Sequence, residues 1–180
     1  LDLVDSIGEY AFAYTAIEAF ELPNSVDNIT KTAFYGDKYL KSFTSKESNT
    51  NYKTINGCIY NKLGSNLVLV PAGIDGLEFS AELKTIDAFA FNGVTISSIA
   101  IPDTIETLEK DCLTGVIGLK ELETPFIGDG NTNDYMHHLF GVTKTVKTEI
   151  VDEEEVRRVS FSAWIDTSPV FVLNNQPFTP

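Results

Sequence analysis

The side chains in this sequence that could do chemistry are few, and their spacing works against it. His137 and His138 are its only histidines, and they are adjacent. Neighbouring residues diverge on a helix and point to opposite faces of a strand, so the two rings cannot chelate one ion. No Cys or H-x-E-type partner stands near them. A solvated or capping role is expected. Asp129-Gly130-Asn131-Thr132-Asn133-Asp134 begins like a calcium loop, D-x-N-x-N. Its sixth position is Asp134 where such a loop turns on glycine, and its twelfth is Phe140 where a bidentate glutamate is needed. It reads as a polar turn. No metal and no cofactor is predicted.

Two cysteines, Cys58 and Cys112, are too few for a disulfide framework and are expected to be small buried core residues. No G-x-S-x-G elbow is present to present a serine nucleophile. Carboxylates are abundant, so chance pairs carry no warrant for a glycosidase. The chain is expected not to be an enzyme.

Charge narrows the partners. With 26 acidic against 13 basic side chains the net charge is -13, which repels phosphate backbones and anionic lipid, so nucleic acid is not an expected partner. The longest aliphatic run, Leu67 to Val70, is far short of the roughly 20 residues a spanning helix needs. No membrane insertion by this segment is expected. Leu1 to Ile7 has neither the basic start nor the cleavage pattern of a signal peptide, and the chain has the look of a mature or trimmed piece.

The residues that must position any surface are apolar and periodic. Ile86, Ala90, Phe91, Ile96, Ile99, Ile101, Pro102 and Ile105 repeat Ile7, Ala11, Phe12, Ile17, Phe20, Leu22, Pro23 and Val26 at a constant shift of 79 residues. Each block leads after 22 residues into a second one, starting at Ile29 and at Leu108. A period in the twenties, with an inner L-x-x-L-x-L string, is that of leucine-rich repeats. Period-two alternation makes Phe20 and Leu22, or Ile99 and Ile101, the inward side of a short strand. Pro23, Pro71, Pro102 and Pro125 close such strands, because proline cannot donate to a ladder. Phe12, Phe34, Phe91 and Leu113 are expected to stack as one ladder along the axis, beside the small Ala11, Ala33, Ala90 and Cys112.

Between the paired blocks the pattern lapses. Lys46 to Lys53 is polar and reads as a loop, and INGCIYNKLGSNLVLVPAG reads as a hairpin inserted at about residues 55–73 around the turn NKLGSN. Leu77, Phe79, Leu83 and Ile86 then restore the spacing of Phe20, Leu22, Val26 and Ile29, so the array resumes in register. Residues 1–141 are assigned to the array and 142–180 to a last repeat with capping strands.

IGEYAF…IEAFELPNSVDNI, INGCIYNKLGSNLVLVPAG and IDAFAF…ISSIAIPDTIETL resemble the BspA-like leucine-rich repeats, in which I-P stands at the asparagine position of other leucine-rich repeats. Leu113, Ser45, Thr124 and everything from Val142 onward depart from that pattern. The resemblance implies a right-handed solenoid with a parallel sheet on one side, in exported bacterial or protist surface proteins of adhesion or protein binding. The side chains alternating with the inward ones, Ala19, Glu21, Ser42, Thr44, Ser98, Ala100, Glu121 and Glu123, are then the expected binding face. A secreted or surface-displayed domain binding a host or neighbouring-cell protein is the leading expectation. The runner-up is a glycan-binding accessory module of a larger surface enzyme or uptake system, and the third reading is a spacer.

Overall fold

A computed structural model of the chain describes residues 3–126, 135–141, 144–151, 154–161, 170–173 and 176–178. The chain winds as a solenoid of parallel strands, as the repeat period requires. The first coil carries β1 (Ser6–Ile7) and β2 (Ala19–Leu22), and the second β3 (Asn28–Ile29) and β4 (Ser42–Ser45). Three strands follow, β5 (Tyr52–Ile55), β6 (Cys58–Asn61) and β7 (Asn66–Leu69), before the regular coils return with β8 (Thr85–Ile86), β9 (Ser98–Ala100), β10 (Thr107–Leu108) and β11 (Glu121–Thr124). Beyond them lie α1 (Tyr135–Phe140), β12 (Lys144–Val151), β13 (Glu154–Phe161), β14 (Val170–Leu173) and β15 (Gln176–Phe178).

Two walls result. In one, β2 pairs parallel with β4 and β9 with β11, which in turn pairs with β14. In the other, the isoleucine positions stack: Ile7 on Ile29, and Leu67 on Ile86 on Leu108. The A-F turns join the walls and hydrogen-bond to the next coil, Phe12 N donating to Ala33 O at 2.9 Å and Leu113 N to Leu139 O at 2.8 Å. After each strand a tight turn reverses the chain, with Val26 N donating to Pro23 O at 3.3 Å and Ile105 N to Pro102 O at 3.1 Å. The apolar run MHHLFG enters as α1, whose Leu139 carbonyl takes the place in the stack that Ala33 and Cys112 hold in earlier coils.

The insertion is wider than a hairpin. Its first strand starts at Tyr52, inside the stretch read as loop, and β5–β6–β7 form an antiparallel meander. Asn56 and Gly57 make the first turn with φ of 50° and 79°, the left-handed pair that an Asn-Gly hairpin favours. β7 then runs parallel to β8, which returns the chain to its register. Two inward positions turn polar where β5 departs. Ser45 stands at the site of Leu22, and its Oγ accepts from Thr54 N at 3.0 Å. Asn49 stands at the site of Val26 and is fully buried; its Nδ2 donates to Pro23 O at 3.0 Å, and its Oδ1 accepts from Asn51 N and Tyr52 N. A buried amide can do this where valine cannot, since it offers both donor and acceptor.

The expected single ladder of rings is two separate cores. In the first, Phe12 and Phe34 stack at 5.2 Å and 8°, with Phe20 and Phe43 tilted against them at 4.7 to 5.0 Å. The second holds Phe91, Leu113, Ile86, Ile99 and Leu122 together with Cys112. The insertion divides them: Ile59, Val68 and Leu69 pack into the first core, and Cys58, Tyr60, Leu67 and Val70 into the second. Strand alternation makes this wall, because successive residues of β6 face opposite ways. Val70 also occupies the phenylalanine step, donating from its N to Ala90 O at 3.0 Å, so no ring continues the ladder through that coil.

A partly buried ion pair links the coils on either side of the wall. Lys31 of the second coil donates to Val68 O at 2.6 Å and to Asp87 at 3.2 Å, and burial pushes its ammonium pKa down against the pull of Asp87 and Glu109.

Candidate binding surface

Of the eight side chains expected on the outer face, Ala19 and Glu21 lie on β2, Ser42 and Thr44 on β4, Ser98 and Ala100 on β9, and Glu121 and Glu123 on β11. Their inward neighbours Leu22, Phe43, Ile99 and Leu122 are buried, which by alternation turns these residues outward. All are exposed except Ser42, which is half-buried. Registers set them side by side: Ala19 beside Ser42, Glu21 beside Thr44, Ser98 beside Glu121 and Ala100 beside Glu123.

The two pairs of strands are not adjacent. The Asn56-Gly57 turn fills the space beside β4, its Gly57 carbonyl accepting from Phe43 N at 2.8 Å. A Cβ at Gly57 would stand 3.3 Å from that of Ser42, so the turn lies close on the strand. Asn56 Nδ2 reaches Glu78 O at 3.3 Å on the following coil. There Leu77 and Phe79 pack against the second core and Glu78 is exposed. Glu78 therefore continues the row of Glu21 and Thr44 and belongs with the face. Sequence reading missed it although the signal was present, since Leu77 and Phe79 already matched Phe20 and Leu22.

One row of the face, Ala19, Ser42, Ser98 and Glu121, is mostly small, and the other, Glu21, Thr44, Glu78, Ala100 and Glu123, is mostly acidic. Lys46 sits 3.5 Å from Glu21, and Lys41 pairs with Asp75 at 2.8 Å where the chain enters the strands. Among the described residues no group of three or more His, Cys, Asp or Glu could hold a metal, and no helix is long and apolar enough to cross a membrane.

The other singled-out residues fall elsewhere. His138 Nε2 lies 2.9 Å from Leu108 O, a capping contact, beside a shallow open pocket of about 590 Å³ that also meets Ala88 and Lys110 on the opposite wall. The Asp129 to Asp134 loop lies outside the described residues. Cys58 and Cys112 are free and buried, and burial pushes both thiols up to about 12, which leaves no thiolate for ligation or attack at neutral pH.

Solenoid, strand spacing and turn chemistry together define a protein of the leucine-rich-repeat class. The sequence pattern described as "BspA type Leucine rich repeat region" matches residues 5–74 and 71–153, and the chain belongs to that family. No curated protein matches it. Among solved structures it is similar to a leucine-rich repeat protein from Eubacterium ventriosum, at 23% identity and a TM-score of 0.53 over 69% of this chain and 40% of that one. It is also similar to a leucine rich cell surface protein from Faecalibacterium prausnitzii, at 23% identity and a TM-score of 0.55 over 69% of this chain and 34% of that one. The chain thus spans less than half the length of either, and at this identity the likeness is one of fold.

Proposed function

We propose that this chain is a non-catalytic, extracellular binding domain that meets a protein on a host or neighbouring cell through its exposed strand face and the loops beside it. The observation that carries this reading is an outward face of two rows, Ala19, Ser42, Ser98 and Glu121 in one and Glu21, Thr44, Glu78, Ala100 and Glu123 in the other, on strands whose alternate residues are committed to the core. Such a face is shallow and open, which suits a macromolecular surface better than an enclosed small molecule. Its four carboxylates favour a partner with a basic patch. Display outside the cell is supported by family membership and by the relative named as a cell surface protein.

Replacement of Glu21, Glu78, Glu121 and Glu123 by lysine tests the proposal, read out on a panel of extracellular matrix proteins beside a glycan array. Exposed substitutions of this kind change stability by only about 0.5 kcal/mol each, so folding is retained. Protein ligands are expected to lose at least tenfold in affinity. Unchanged binding to every ligand found in the panel would remove the strand face from consideration.

A further inference from the structure

The corner formed by the A-F turns carries a feature the strand face does not explain. Two residues after the inward Phe12, Phe34, Phe91 and Leu113 come Tyr14, Gly36, Gly93 and Gly115, with φ of 57°, 77°, 81° and 83°. Glycine takes that conformation freely and tyrosine does not. Packing does not compensate, since Tyr14 is 75% exposed. Tyr10 is 57% exposed, and its positive φ (56°) recurs at the equivalent Phe89 and Asp111 and belongs to the turn. Backbone strain held under a solvent-facing side chain points to a role outside the fold.

The rings form an ordered set. Tyr10 and Tyr14 both meet Tyr35 edge-on, with centroids 6.2 and 5.8 Å apart and planes at 85°. Tyr14 lies over Gly36, where a Cβ would come within 2.6 Å of its ring carbons, so only glycine leaves room for it there. Tyr35 also reaches Gly93 on a later coil, in ordinary contact 3.8 Å from where a Cβ would be. Two residues after Tyr35 comes Asp37, wholly buried. Its Oδ1 accepts from the Thr15 amide and from the Thr15 hydroxyl at 3.1 Å, and its Oδ2 has no hydrogen-bond partner among the described residues. At the edge of the cluster Lys38 Nζ already sits 5.0 Å from the centre of the Tyr39 ring.

We propose that the Tyr10, Tyr14 and Tyr35 corner is a second binding surface, which takes the guanidinium groups of an arginine-bearing segment of a partner protein. Phenol faces present negative quadrupole potential, and a planar, weakly hydrated guanidinium stacks on them better than an ammonium does. Charge complementarity selects this occupant, since the chain carries 26 acids to 13 bases. A neutral saccharide would gain the ring contact and nothing from the charge. The corner is separate from the strand face, so the lysine substitutions above leave it intact and the two proposals fail independently.

Titration calorimetry with hexa-arginine and hexa-lysine peptides at physiological ionic strength tests it, with a soluble oligosaccharide panel alongside. Tyr14→Gly installs the residue of the neighbouring coils without altering net charge, and is expected to keep or raise the melting temperature while weakening hexa-arginine about threefold. Adding Tyr35→Ser deepens the loss, Tyr14→Phe keeps affinity within about twofold, and hexa-lysine binds more weakly than hexa-arginine throughout. Equal hexa-arginine affinity in the parent and Tyr14→Gly proteins would overturn the proposal. So would an oligosaccharide whose binding disappears in Tyr14→Gly while hexa-arginine is unaffected.

Discussion

The coils on either side of the insertion share one backbone plan and fill it differently. The first half stacks Phe12, Phe20, Phe34 and Phe43 as rings, whereas the second sets the aliphatic Ile86, Ile99, Leu113 and Leu122 beside Phe91 and Phe140. Apolar volume at a coil position is thus what the fold demands, and residue type is free within it. The wall of β6 and β7 permits this freedom, because neither core has to match the shape of the other.

The largest test of that comparison is truncation on each side of the wall. Phe43→Ala should destabilise by about 3–5 kcal/mol and Leu122→Ala by about 2–5 kcal/mol, each leaving a cavity in a fully packed site. The sharper quantity is their sum. Residues in separate clusters should add to within about 0.5 kcal/mol in denaturant unfolding of the double variant, and a larger coupling would mean one continuous core.

A smaller effect is expected at the wall's seam. Ser80 holds the position of Pro23 and Pro102, and it has what proline lacks, an N–H, which donates to the buried Tyr60 hydroxyl at 3.1 Å. Ser80→Pro restores the repeat pattern yet should lower stability by about 1 kcal/mol through that lost bond, measured as a fall in melting temperature. A rise would show the Tyr60 contact to be dispensable.

Titration distinguishes the clamp across the wall from the carboxyl within the first half. Burial holds the folded pKa of Lys31 below 10.5, so the unfolded chain binds more protons in that window and stability should climb as pH rises through it. Asp37 has the opposite sign. Its folded pKa is raised above 3.8 by burial, so stability falls as pH rises from 3.8 through the folded value. Lys31→Met and Asp37→Asn should each flatten their own slope in melting temperature against pH and leave the other. The smallest change is expected at Lys84, whose exposed pairing with Glu106 at 2.8 Å predicts less than about 0.5 kcal/mol for Lys84→Ala.

Much of the architecture was legible in residues that recur. Ile7 and Ile86, or Phe20 and Ile99, announce inward positions because a coil reuses them, and alternation then turns Ala19, Glu21, Ser98 and Ala100 outward. Less could be read where the insertion interrupts the repeat. Tyr52 to Ile55 is half-buried throughout and shows no clean alternation, so β5 passed for loop although Asn56-Gly57 marked its turn. Ser45 and Asn49 looked like lapses in the pattern, and only their bonds to Thr54, Asn51 and Tyr52 show that they anchor the departing strand. The tyrosine corner left no periodic trace at all, since Tyr14 stands where its neighbours are glycine.

Hydrogen exchange of a Phe43→Ala variant measures the divided core most directly. Amides of the first half, such as those of Phe12 and Thr30, which bond to Ala33 O and Ile7 O, should lose protection by several orders of magnitude in rate. Those of Phe91 and Leu113 beyond the wall should exchange as in the parent protein. Equal acceleration on both sides would contradict the account.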